Sequence, residues 1–171
     1  VYSNSGEGIL INKDYTKGLL LRGYLPEDYK KLSIVKNSNF FGNKKINESY
    51  ISIGKELSLN YDIKVGDKIL LMSPSGVQTI VGNLPKQKTY IVDSIFDSGL
   101  ADFDQNVAFI NLYDLENFFD IKSSKRNLEI YLKSPKNIEI NREKLEKIFE
   151  DYYVYTWSDL NKSLFSALKV E

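Results

Sequence analysis

The densest grouping of ligand-type side chains is Asp93, Asp97, Asp102 and Asp104, followed by Asn106. Oxygen ligands at alternate positions are what Ca²⁺ selects. The order does not suit an EF-hand loop. Counted from Asp97, Gly99 falls at position 3, Ala101 at position 5 and Ala108 at position 12, where a bidentate Glu belongs. The spacing reads as an acidic, solvated loop between two strands. No other carboxylate pair is singled out. With no His and no Cys in 171 residues, thiol nucleophiles, Cys/His zinc sites, Ser-His-Asp triads and haem ligation through His or Cys are excluded. Ser5-Gly6-Glu7-Gly8 and Ser75-Gly76 lack the Gly-Lys-Ser/Thr ending of a phosphate loop. The expectation is a non-enzyme without metal or cofactor. An acidic-site hydrolase or a calcium-binding domain is the weakest alternative.

A different chemistry, that of protein docking, is carried by residues 77–92. Val77–Val81, Gly82-Asn83 and Leu84–Tyr90 read as a hairpin, with Gly82-Asn83 as a two-residue turn because both residues tolerate positive φ. Pro85 removes a ladder donor, so its strand must lie at an edge or leave the sheet. The tip sets Ile80, Val81 and Leu84 beside Lys86 and Lys88. Two readings stand together here. An apolar tip with polar flanks is a surface that another polypeptide grips by side-chain insertion or strand addition. The same Pro and Lys residues would blunt an ordinary edge hairpin against aggregation.

The elements that must position this hairpin are short. Strands are expected at 8–12, 18–22, 49–53, 68–73, 77–81, 88–95, 106–110, 128–132 and 153–156. Residues 36–49 and Ser73-Pro74-Ser75-Gly76 carry loop and turn signals. Pro26-Glu27-Asp28 opens a helical turn, with Pro at its favoured position. Lys55–Tyr61 reads as a helix. Asn111 caps a second helix over 112–119, with Leu112, Leu115 and Phe119 on one face. Asn141 caps a third, with Leu145, Ile148, Phe149 and Tyr152 on its apolar face. The first ninety or so residues are mainly β, and residues 91–171 alternate strand and helix, which gives an α+β fold. Twelve Tyr and nine Phe lie mostly at core periodicity, so packing accounts for them better than base or sugar stacking. Lys+Arg 23 against Asp+Glu 23 argues against nucleic acid as a partner. Zero Cys leaves the compartment open.

Thr156-Trp157-Ser158-Asp159 fits a helix start, and Leu160, Leu164, Phe165 and Leu168 share a face. The sequence ends at Lys169-Val170-Glu171 without a stop signal. Excision from a longer chain and a frayed terminal helix are equal readings on this ground alone.

Four stretches together resemble the periplasmic domain of a lipoprotein-releasing ABC transporter permease of the LolC/LolE type. They are Ile51–Leu57 followed by Ile63–Ile69, then Leu71–Gly76, Tyr90–Leu100 and Thr156–Glu171. Their order and spacing carry the likeness, which runs from about Gly18 to Glu171. The resemblance implies a MacB-like periplasmic domain between two membrane helices, with a β-rich part packed against an α/β porter-like part. It also implies excision at the C-terminal end and an early strand–helix portion absent before Val1. In the C-type subunit a hairpin recruits the periplasmic lipoprotein chaperone LolA, and residues 78–90 occupy the corresponding place. Gly82, Pro85 and Gln87 match that pattern. Lys88 stands where the family often has Arg, and Ile80 and Val81 stand for its apolar tip. The docking residues implied are Gln78, Ile80, Val81, Gly82, Asn83, Leu84, Pro85, Lys86, Gln87 and Lys88. The partners implied are a LolA-like chaperone, lipoprotein cargo, a second permease subunit and a cytoplasmic ATPase. The place implied is the periplasmic side of an inner-membrane protein. The alternative is the periplasmic domain of a related MacB- or FtsX-type mechanotransmitting exporter.

Overall fold

The computed structural model describes residues 1–12, 15–79, 82–132, 134 and 137–160. They fall into two compact units, Val1–Glu129 and Ile130–Glu171.

The first unit opens with β1 (Tyr2–Asn12) and β2 (Tyr15–Tyr24), antiparallel from Ser3↔Tyr24 to Asn12↔Tyr15. Both are longer than expected, because the pairing continues well past the apolar stretches. Next come α1 (Pro26–Tyr29), α2 (Ser33–Asn37), β3 (Asn39–Gly42), β4 (Tyr50–Gly54) and α3 (Lys55–Tyr61). The long strands β5 (Lys68–Thr79) and β6 (Gly82–Asp97) follow. The unit closes with α4 (Ala101–Asn106), β7 (Val107–Asn111), α5 (Leu112–Phe119) and β8 (Asn127–Leu128).

Among the described residues the pairings run β2–β7–β4–β6–β5–β1 and return from β1 to β2. The strands therefore form a closed ring, which removes most of the exposed edges that invite aggregation. Alternate residues of each strand face one interior. Leu19 and Leu21, Ile51 and Ile53, Ile69 and Leu71, Tyr90 and Val92, and Ala108 and Ile110 all join a single buried cluster with Leu10. Leu57 of α3, Ile63, and Leu115 and Phe118 of α5 complete it. The opposite faces of β7 and β6 supply Phe109 and Phe96 to a second cluster, with Tyr29 of α1 and Val35 of α2.

Several expectations are corrected. Residues 39–42 lie inside the expected loop but form β3, because Phe40 packs on Phe96 across the Phe40↔Phe96 pair. Ser73–Gly76 is no turn. It lies within β5, since Gly76–Thr79 resume pairing with β6. The acidic segment is not a solvated loop. Phe103 of α4 packs on Phe96 and Phe109, which buries Asp104, and its carboxylate accepts from Ser98 N and Oγ. Asp93 is buried too and accepts from Lys45 N at 2.6 Å. Asp97 pairs with Lys55 at 2.9 Å. Among the described residues no three ligand-type side chains converge as a metal site.

The strand expected at 128–132 shrinks to β8, where only Asn127 and Leu128 find partners on β1. The second unit contains α6 (Ile138–Ile148) and α7 (Trp157–Leu160). Asn141 does not cap α6. It lies one turn inside and donates to Asn137 O at 2.9 Å. Residues 153–156 form no strand. Thr156 does start a helix as its spacing expects: Asp159 N donates to Thr156 Oγ1, and Thr156 N donates to Asp159 Oδ2. The expected continuation through Leu164, Phe165 and Leu168 lies outside the described residues.

Candidate partner-docking ribbon

β5 and β6 share a register from Lys68↔Ile91 to Met72↔Gln87, lose it, and regain it from Gly76↔Pro85 to Thr79↔Gly82. Ser73, Pro74 and Ser75 thus lie opposite the single residue Lys86. Such a bulge bends a strand and raises its twist. β1 pairs with β5 only as far as Met72, and β4 pairs with β6 only from Ile91. From Gly76 to Pro85 the described residues pair only with one another, so a two-stranded ribbon leaves the ring.

Glycine is required at the point where the ribbon restarts. A Cβ on Gly76 would lie 2.6 Å from Leu84 O and 2.8 Å from Leu84 C, both backbone atoms. Opposite it, Pro85 lacks an N–H and is exposed, as an edge position permits.

The sequence reading sets the turn at Gly82-Asn83. Register instead puts Gly82 opposite Thr79 and Asn83 opposite Gln78, inside the ladder. Gly82 still takes a positive φ of 117°. Ile80 and Val81 lie outside the described residues. Leu84 is 55% exposed, and Pro85 and Gln87 are also exposed. Gln87 Nε2 lies 4.0 Å from Met72 Sδ.

The two lysines turn toward the body. Lys86 Nζ donates to Asn117 O at 2.9 Å and pairs with Asp120. Lys88 Nζ pairs with Asp114 Oδ1 at 2.7 Å and lies 5.3 Å from the centre of the Tyr90 ring. The Asp114 side chain is only 6% exposed, and its Oδ2 accepts from Ser49 N at 2.8 Å. Burial, with the Asp114 charge beside it, pushes the Tyr90 phenol far above its ordinary range. Asp114, Asn117 and Asp120 escape the reading of the hairpin alone. Asp114 and Asn117 lie on α5 and Asp120 caps its C-terminal end, and no local sequence signal ties them to the lysines.

No protein-family profile matches the chain. Among curated proteins it is 26% identical over 156 residues to the lipoprotein-releasing system transmembrane protein LolC of Xylella fastidiosa strain 9a5c. That match covers 89% of this chain and 38% of the relative. LolC of Neisseria meningitidis serogroup B is 24% identical over 172 residues, covering 98% of this chain and 41% of the relative. This chain is similar to LolC. It spans about two fifths of the LolC relatives it matches. In fold it is similar to the extracellular domain of the noncanonic ABC-type transporter YknZ from Gram-positive bacteria. The TM-score is 0.52 at 13% identity, over 88% of this chain and 73% of that one. The mixed α/β architecture is thus similar to that of the YknZ extracellular domain.

Proposed function

We propose that this chain is the periplasmic, non-catalytic module of an inner-membrane permease that releases lipoproteins, and that its ribbon passes them to a LolA-like soluble chaperone. The observation that carries this reading is the ribbon beyond the strand ring, with Leu84, Pro85 and Gln87 open to solvent. The likeness to LolC supports the transporter setting. An exposed apolar residue flanked by a polar amide suits peptide or side-chain capture by a partner. Gln78, Ile80, Val81, Gly82 and Asn83 extend the contact around the tip. Free energy comes from a separate cytoplasmic ATPase, and a second permease subunit completes the assembly.

A photoreactive residue at Leu84 tests the reading. Ultraviolet crosslinking of the chain mixed with the purified chaperone should give one heterodimer band, lost when Gln87 is replaced by Ala. Labelling of hydrophobic cargo instead, with no chaperone adduct, would favour the second reading, a MacB- or FtsX-type mechanotransmitting exporter. The likeness in fold to the YknZ extracellular domain is the observation that keeps that reading in view.

A further inference from the structure

We infer that Lys86 and Lys88 are positioning residues for the ribbon, not partner contacts, and that α5 aims the ribbon through Asp114 and Asp120. The inference rests on the docking role given to the ribbon above.

Strand pairing holds the ribbon to the ring only at its root. A lone two-stranded hairpin is marginal in water, and the bulge at 73–75 leaves a bend at that root. Something else must set its direction. α5 reaches β6 at two points on either side of Gln87. Lys86, opposite the bulge, is held by Asn117 O and Asp120 near the C-terminal end of α5. A cation at that end is also favoured by the helix dipole. Lys88 is held by Asp114 in the first turn of α5.

Asp114 is committed on both oxygens, to Lys88 from β6 and to Ser49 N at the entry to β4. Lys88 also stands over the Tyr90 ring, whose hydroxyl has no hydrogen-bond partner among the described residues. For Lys88 to reach a partner it would have to abandon a carboxylate that is almost out of water, which would be left unpaired. Gln87, between the two lysines, has no such tie to α5 and stays exposed. The arrangement divides labour within three consecutive residues: the outer two anchor, the central one faces outward.

The chain has no Cys, so two introduced ones take spin labels cleanly. The sites are Leu84→Cys on the ribbon and Leu59→Cys on α3, which is 65% exposed. Pulsed dipolar spectroscopy without any partner should give one narrow distance in the parent. It should broaden in Lys88→Met and in Asp114→Asn, which keeps an acceptor for Ser49 N, and stay narrow in Lys88→Arg. Chaperone affinity, titrated in the unlabelled variants, should fall about tenfold wherever the distance broadens, since only the correctly aimed fraction binds. If Asp114→Asn does not fold, Lys86→Met tests the outer anchor on a more exposed pair. Unchanged distances in both lysine variants would overturn the inference whether or not the chaperone binds. Broadened distances with unchanged affinity would overturn the positioning role. Broadened distances in a chain whose parent binds no chaperone would sink the docking reading and leave the aiming by α5 standing.

Discussion

The Tyr90 phenol is fully buried inside the ring of strands, without a hydrogen-bond partner among the described residues. Its ionised form is disfavoured first by lost hydration and then by the nearby Asp114 charge. The folded-state pKa is therefore raised above the unfolded value of about 10. Stability linked to this group is intact below about pH 10 and is lost as pH rises toward the folded value, because only the unfolded chain then sheds the proton. Melting temperatures followed from pH 8 to 11 should fall steeply in the parent and less steeply in Tyr90→Phe. Below pH 9 the Phe variant should be nearly as stable, since it removes a buried hydroxyl that bonds to nothing. The pair beside it behaves differently. Lys88→Ala should cost about 1.5–3 kcal/mol in denaturant unfolding, because a nearly buried carboxylate loses its charged partner.

At the scale of elements, the close approach of α3 and α4 hangs on one glycine. A Cβ on Gly54 would meet Asp104 O at 2.0 Å and Asp104 Cα at 2.4 Å. These are backbone atoms and cannot swing aside, so Gly54→Ala should destabilise by about 3 kcal/mol in chemical unfolding. A loss below about 0.5 kcal/mol would mean that the two helices separate freely. Local signals made some elements legible in the sequence. The helix at 55–61 is where the sequence reading set it; the helix at 112–119 follows from capping and periodicity, and the Asn111 side chain does accept from Tyr113 N. The hairpin was legible as an element, while Gly82 and Asn83, read as its turn, lie inside the ladder opposite Thr79 and Gln78. Gly-Asn is a strong turn signal, but register is fixed by the whole ladder, including a bulge that Ser-Pro-Ser disguises as a turn. Elements built by tertiary pairing were illegible: β3 depends on Phe96, reached across more than fifty residues, and residues 153–156 have no strand partner among the described residues. The aiming residues on α5 were hidden for the same reason, since Lys88 and Asp114 meet only in three dimensions.

For the whole molecule, closure of the ring gives Val1–Glu129 its own interior, and the two units are each compact. A chain ending at Glu129 should keep a single cooperative melt and the parent's chaperone affinity, because the ribbon and both of its anchors lie within that unit. Thermal unfolding and titration of the shortened chain check this; loss of the cooperative melt would place essential packing in Ile130–Glu171. Glu129 itself must be retained. Its carboxylate takes Arg22 at 2.7 Å and Ser3 Oγ at 2.5 Å, which fastens β8 to the ring. On the proposed reading the division of labour is by part: a closed ring for stability, and a ribbon for recognition.

The most direct measurement of the docking role is calorimetric titration of the purified LolA-like chaperone into the parent chain and into a Leu84→Ser, Gln87→Ala double variant. Both side chains are exposed and neither supports the fold, so melting temperatures should agree within a few degrees. The parent should bind, and the variant should bind at least about tenfold more weakly, a difference of about 1.4 kcal/mol. Equal affinities in two equally stable chains would contradict the account.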